Sequence, residues 1–137
     1  MRTRDVAVLI LHDHGKILLQ KRPKDAVRFP DSWGLFGGGV KEGETVERAL
    51  KREVFEEAGL VIDAALMAAT HPYALPEKGE QGTVHVCVVR YEGQPLALRE
   101  GQELMWLEPG EAVKLVGHEV YKDIIREIVQ GRISMVS

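Results

Sequence analysis

The chain has 137 residues, 45% hydrophobic and 28% charged, the balance of a soluble globular protein. That length suits one domain, residues 1–137, with a core that needs no disulfide or metal staple, and the composition excludes disorder, collagen-like repeats and coiled coil. Eighteen basic against 21 acidic residues leave a net charge of −3, without the basic excess of a dedicated nucleic-acid binder, and the single cysteine, Cys87, excludes an internal disulfide or a cysteine zinc site.

The lone cysteine suits a reducing compartment. The longest N-terminal apolar run, Val6 to Leu11, is too short for a signal peptide or a spanning helix. Together these read as a soluble, cytoplasmic protein without a membrane partner.

In chain order, Val6–Leu11 reads as a buried strand, His12-Asp13-His14-Gly15 as a turn and Ile17–Leu19 as the return strand of a hairpin. Pro23 to Asp31 is polar, holds two prolines and reads as a loop. Trp33–Phe36 is a short strand running into Gly37-Gly38-Gly39. A helix starts near Thr45, a good N-cap, and ends at Gly59 after Ala58. Strands are expected near Ala65–Thr70, Val84–Tyr91 and Leu104–Leu107, with a turn at Glu92–Pro95. From His118 to Gln130, Val120, Ile124, Ile125 and Ile128 recur at helical spacing, and Gly131 closes the helix. The pattern predicts a mixed α/β or α+β domain with helices packed on a sheet.

Six of the 21 acidic residues fall between Glu42 and Glu57. Such a run is usually a solvated helix face. At about 100° per residue, however, Glu53, Glu56 and Glu57 share one sector with Val46 and Ala49, and Leu50 lies just past its edge. The acids therefore continue the apolar stripe. Carboxylates there are costly to bury without a cation. Arg52 can reach Glu56 at i+4, but one arginine cannot neutralise three carboxylates. Hard divalent cations take such oxygen ligands, so the helix is a candidate site for Mg²⁺ or Mn²⁺. Gly37-Gly38-Gly39, just upstream, allows close backbone approach to a ligand or is a plain turn.

Spacing then becomes specific. From Gly38, five residues lead to Glu44; seven more lead to Arg52-Glu53-Val54, one to Glu56-Glu57 and one to Gly59-Leu60. Every fixed position of this 23-residue stretch resembles the signature of the Nudix hydrolases. Many members of that family carry proline before the double glycine, where this chain has Phe36.

The resemblance implies an α/β/α sandwich: a mixed sheet with the signature helix and a C-terminal helix packed on it. It implies hydrolysis of a nucleoside diphosphate linked to another moiety, with Mg²⁺ or Mn²⁺ as cofactor. On this likeness Glu53, Glu56, Glu57 and the Gly37 carbonyl are the metal ligands. Arg52 orients a glutamate, Glu44 supports the surrounding loop, and Glu53 is the first choice of base. Outside the signature, Glu100 or Glu103 is a further acid, with Glu100 preferred; the alternative is a surface turn with two ordinary acids. Arg22 is a phosphate contact or a solvated strand end. Trp33 and Phe36 stack on a base or belong to the core. His71, Pro72 and Tyr73 form a pocket rim or a loop tip. The expected substrate is a nucleoside triphosphate, with nucleotide-pool sanitising as one role. Nucleotide sugars, ADP-ribose and dinucleoside polyphosphates are the alternatives, and a non-catalytic nucleotide-binding module is remote because all four glutamates remain. A homodimer is compatible with the family, but no residue pattern marks an interface.

Overall fold

The computed structural model describes residues 2–26 and 29–135. Its strands are β1 (Arg2–Thr3), β2 (Val6–Asp13), β3 (Lys16–Lys21), β4 (Trp33–Gly34), β5 (Phe36–Gly39), β6 (Leu66–Leu75), β7 (Glu80–Arg90) and β8 (Glu103–Leu107). The helices are α1 (Val46–Ala58), α2 (Pro109–Leu115) and α3 (Glu119–Val129). All strands join one mixed sheet. β2 and β7 run parallel over Val6–His12, and the β2–β3, β2–β5, β3–β8 and β6–β7 pairs are antiparallel. The expected mixed architecture with helices packed on a sheet is what forms.

The sandwich follows from the apolar run of β2. Successive side chains of a strand face opposite sides. Ala7, Leu9 and Leu11 turn to α1 and meet Leu50, Val54 and Ala58. Val8 and Ile10 turn the other way and meet Ile124, Ile125 and Ile128 of α3. With both faces covered, the strand reads as continuous hydrophobic sequence rather than as an alternation. His14 and Gly15, with φ of 52° and 77°, form the two-residue hairpin turn to β3.

Helix α1 begins where expected: the Thr45 hydroxyl accepts the Arg48 N–H at 3.1 Å. It ends where expected too. Gly59 adopts φ 64°, and its N–H returns to the Phe55 carbonyl at 2.9 Å.

Three expectations need correction. His71-Pro72-Tyr73 is no loop tip but the middle of β6, paired with β7 from Leu66 to Leu75. Among the described residues β6 pairs with β7 alone, an edge position of the kind to which proline is confined in sheets. The strand expected from Val84 starts at Glu80, and the connection shrinks to the short turn Pro76–Gly79. Helix α2, starting with Pro109, was not anticipated. Its seven residues are too few for periodicity to reveal, although Pro109 at its first turn was a usable signal. Val27 and Arg28 of the expected Pro23–Asp31 loop lie outside the described residues.

Leu50 is fully buried on α1, whereas Phe55 is 59% exposed. Leu50→Ala should lower unfolding free energy by about 2–5 kcal/mol. Phe55→Ala should change it by no more than about 0.5 kcal/mol. Urea unfolding of the two variants would check the register that brings the glutamates to the sheet.

Candidate functional site

The last two turns of α1 lie beside β5, so the side chains of Glu53, Glu56 and Glu57 emerge next to the glycine strand. Exposure follows the helical angle. The side chain of Glu57 is 13% exposed, Glu53 18% and Glu56 48%. Glu57 is the most enclosed. Its Oε1 accepts the Gly37 N–H at 2.9 Å and the Gln20 amide at 3.3 Å, and its Oε2 lies 3.6 Å from an Arg22 nitrogen. Burial pushes its carboxyl up to about 7, against the opposing pull of Arg22 and the Gly37 N–H.

Glu53 rests on bare backbone. A Cβ at Gly38 would stand 2.3–2.6 Å from its carboxyl atoms. A Cβ at Gly37 would meet the Ala7 carbonyl oxygen at 2.0 Å, and φ there is 141°. Glycine at these two positions is a steric requirement of the site.

Arg52 organises the other side. Its Nε and NH2 form a fork on Glu44 at 2.8 and 2.9 Å, NH1 bonds Glu53 at 2.8 Å, and NH2 also reaches the Gly39 carbonyl at 3.0 Å. NH1 lies 3.5 Å from Glu56. Glu44 in turn accepts the Lys41 N–H at 2.8 Å. Glu44 thus joins the loop at Lys41 to Arg52, and Arg52 spans Glu44, Glu53 and Glu56.

A cleft of about 560 Å³ opens over these groups. Glu53, Glu56, Glu57, Glu100 and Arg22 line it, joined by Arg99. Glu100 therefore faces the α1 glutamates, while Glu103 lies 3.7 Å from Lys21. Sequence reading missed three residues of the cleft. Gln102 donates its amide to Gln20 Oε1 at 2.7 Å and to the Glu57 carbonyl at 2.9 Å, and Arg99 bonds the Glu56 carbonyl. Gln20 and Gln102 are buried polar residues. Gln20, one polar residue closing an apolar strand, was the only one with a local signal.

Two expected base-stacking residues are corrected. Phe36 is 1% exposed and packs beneath α1 with Leu50, so it offers no face to a ligand. Trp33 pairs with Lys21 and packs on the α3-side core, away from the cleft lining. The aromatic residues that do face a pocket are Phe29, Tyr73 and Tyr121. With Val8 and Val84 they line an apolar pocket whose rim is Arg22, Gly37 and Gly38.

The donor set suits a hard divalent cation. Four carboxylates of the signature stretch face two guanidiniums, Arg52 and Arg22, and the upward shift of Glu57 reflects a burial cost that those cations leave unmet. Among the described residues, no three acidic, histidine or cysteine side chains converge closely enough to hold an ion as they stand. The hydrogen bonds from Arg52 and Gly37 draw Glu53 and Glu57 toward the protein instead.

Two outcomes follow from this geometry. The Arg52 fork, with the Lys41 N–H, holds the Glu44 carboxyl down to about 2. A depressed carboxyl contributes stability that is present above about pH 4.5 and lost as pH falls toward 2. Thermal unfolding should therefore show wild type losing more stability than Glu44→Gln across that window. Gly38→Ala should displace the Glu53 carboxylate and lower activity about as far as Glu53→Gln does, with the far-ultraviolet circular dichroism spectrum unchanged.

The chain matches the NUDIX domain profile over residues 1–128. Nucleoside triphosphatase NudI of Enterobacter sp. (strain 638) is 40% identical over 74 residues, which are 54% of this chain and 50% of that protein. The chain thus spans about half the length of the curated relatives it matches. The solution structure of the E. coli ORF135 protein superposes with a TM-score of 0.79 at 27% identity, covering 96% of this chain and 92% of that one. The MutT protein from Methanosarcina mazei Go1, at 18% identity, shares the fold with a TM-score of 0.80, covering 94% of each chain. A profile match that reaches from ahead of β1 into α3 takes in every element that builds the cleft, and the chain belongs to the Nudix family.

Proposed function

We propose that this chain, acting as one domain, is a divalent-cation-dependent pyrophosphohydrolase of nucleoside triphosphates. One observation carries the reading: the α1 glutamates and Glu100 line a cleft that meets an aromatic-walled apolar pocket at Arg22. The cleft has room for the phosphates, whereas the apolar pocket, at about 30 Å³, would have to open before its aromatic walls could take a base. The nucleoside triphosphatase name of the NudI relatives supports the same choice of substrate. Nucleotide sugars, ADP-ribose and dinucleoside polyphosphates are the competing substrates of the same chemistry. No helix among the described residues is long and apolar enough to cross a membrane.

The reaction consumes one water. Water oxygen bonds to phosphorus, the P–O bond of the anhydride breaks, and monophosphate and pyrophosphate leave. Glu53, Glu56, Glu57 and Glu100 are the side chains that would hold Mg²⁺ or Mn²⁺, with the Gly37 carbonyl as a backbone ligand. A bound divalent cation supplies charge neutralisation at the phosphate oxygens and a more acidic attacking water. Arg22 lies beside Glu57 where cleft and pocket meet, and in this reading it would contact a phosphate oxygen between them. Glu53 takes the proton from the water. Arg52 fixes its carboxylate over Gly38, and Glu44 holds Arg52 in place.

Glu53→Gln should lower kcat by about 10²–10⁴-fold with little change in melting temperature. Near-normal turnover would remove Glu53 from the mechanism. A panel of nucleoside triphosphates, oxidised nucleotides, nucleotide sugars, ADP-ribose and dinucleoside polyphosphates, with Mg²⁺ or Mn²⁺, tests the substrate. Triphosphates should yield monophosphate and pyrophosphate, and chelation with EDTA should abolish the reaction until cation is restored. Cleavage restricted to the other diphosphates would transfer the assignment to them. Nucleotide binding without cleavage by wild type would favour a non-catalytic module.

A further inference from the structure

A second groove, of about 350 Å³, flanks the glycine strand and brings together Arg2, Arg4, Lys78 and Arg22 with Glu53 and Glu57. None of the signature residues explains the first three. Arg2 is already committed: its guanidinium pairs at 2.8 Å with Glu80, a carboxylate with no exposed surface. Arg4 differs. Its N–H bonds the Gln81 carbonyl at 2.8 Å, and its own carbonyl accepts the Tyr73 hydroxyl at 2.9 Å. That hydroxyl also lies 2.8 Å from Glu80. The backbone of Arg4 is thus clamped from β6 and β7, while among the described residues its guanidinium has no carboxylate within ion-pair distance.

That guanidinium lies over Gly39. A Cβ there would stand 2.0–2.4 Å from its Nε, Cζ and NH2 atoms. Gly39 has no positive φ, so its lack of a side chain serves the arginine rather than the backbone. Register places the two charges on opposite flanks of β5. Gly38, facing Glu53, pairs with Ala7 of the α1-side core; Gly39, facing Arg4, pairs with Val6, which packs on the other core. Among the described residues β5 pairs only with β2, so its second edge opens into the groove. A phosphate chain crossing that edge would meet carboxylates with their cation on one side and Arg4 on the other, with Lys78 behind.

We infer that Arg4 is a substrate-binding residue that takes a phosphate additional to the scissile diphosphate, and so selects nucleoside triphosphates over diphosphates capped by a neutral sugar. Two phosphates beside Arg22 and the carboxylate cleft leave the Arg4 flank without a ligand; a third phosphate supplies one. A guanidinium with no carboxylate partner among the described residues is available for charge-assisted hydrogen bonds to phosphate, and the clamped backbone fixes where its side chain starts. The inference rests on the hydrolase reading for its substrate, but the anion site itself can be tested without turnover.

Calorimetry with inorganic tripolyphosphate, in Mg²⁺ buffer, would compare wild type with Arg4→Ala, Arg4→Lys and Gly39→Ala. Arg4→Ala should weaken binding about tenfold or more, the scale of losing a charged hydrogen bond, and Arg4→Lys should recover part of it. Gly39→Ala should mimic Arg4→Ala, because the atoms it displaces are the far end of a flexible side chain, so the fold survives. In kinetics, Arg4→Ala should raise KM for a nucleoside triphosphate by a similar factor with kcat within about twofold, and leave KM for a nucleotide sugar within about twofold. Equal tripolyphosphate binding by wild type and Arg4→Ala, no binding by wild type, or an equal rise in KM for both substrates would overturn the inference. Arg4-dependent tripolyphosphate binding in a protein that hydrolyses no nucleotide would retain the anion site and reject the hydrolase reading instead.

Discussion

Everything near the cleft depends on keeping carboxylates charged where water is scarce. Burying an ionised carboxylate is expensive, and a partner repays the cost only with good geometry and further hydrogen bonds. Arg52 provides both for Glu44 and Glu53, because a planar fork can satisfy one carboxylate on two nitrogens and still reach a second carboxylate and a backbone carbonyl. A lysine, with one point charge, could not join the loop, the helix and β5 in this way. The loop from Lys41 to Glu44, the helix and the glycine strand are therefore fixed together by one side chain. Glu57 is the exception. Its partners are a backbone N–H, an amide and a guanidinium at 3.6 Å, and its carboxyl rises to about 7 accordingly. The least compensated carboxylate of the helix is also the deepest one in the cleft.

The glycine strand answers the same constraint from the opposite direction. Carboxylate, guanidinium and backbone can share so small a volume only if the strand between them has no side chains. Gly37 is kept clear by the β2 backbone, Gly38 by Glu53 and Gly39 by Arg4. Three adjacent glycines thus have three separate reasons. A fourth reason is the edge itself: β5 has no second strand partner among the described residues, which leaves main-chain groups such as the Gly37 N–H free to contact the site.

Helix α1 and its charges were legible because their determinants are local. Thr45 and Gly59 mark its ends through caps that involve residues within four positions, and a 3.6-residue period fixes which glutamates face inward. The double-sided burial of β2 was legible for the same reason, as an unbroken apolar run. Phe36 was misread because an aromatic before a glycine turn looks alike whether it lies under a helix or over a ligand; only the packing of α1 decides. Gln102 and Arg99 were invisible because their partners are 43 to 82 residues away, and no local pattern distinguishes an amide that bonds across the sheet from one in water. Arg4 is the extreme case. Its importance depends on Gly39, 35 positions on, having no side chain, and on a β1 too short to register as a strand.

These two kinds of information divide along the chemistry. The signature stretch carries its own geometry, since a helix and the loop before it set the spacing of Glu44, Arg52, Glu53, Glu56 and Glu57 within one continuous segment. The surfaces that would choose the rest of the substrate come from distant parts of the chain: Phe29, Tyr73 and Tyr121 around the apolar pocket, and Arg4 and Lys78 along the groove. Residues in a continuous segment can hold their mutual positions while the surrounding sheet varies. Residues gathered from several strands and loops can be exchanged one at a time without disturbing that segment. A fold built this way can keep one cation-and-carboxylate centre and change what is presented to it, so substrate choice has to be read from the cations and aromatic rings flanking the glycine edge rather than from the helix.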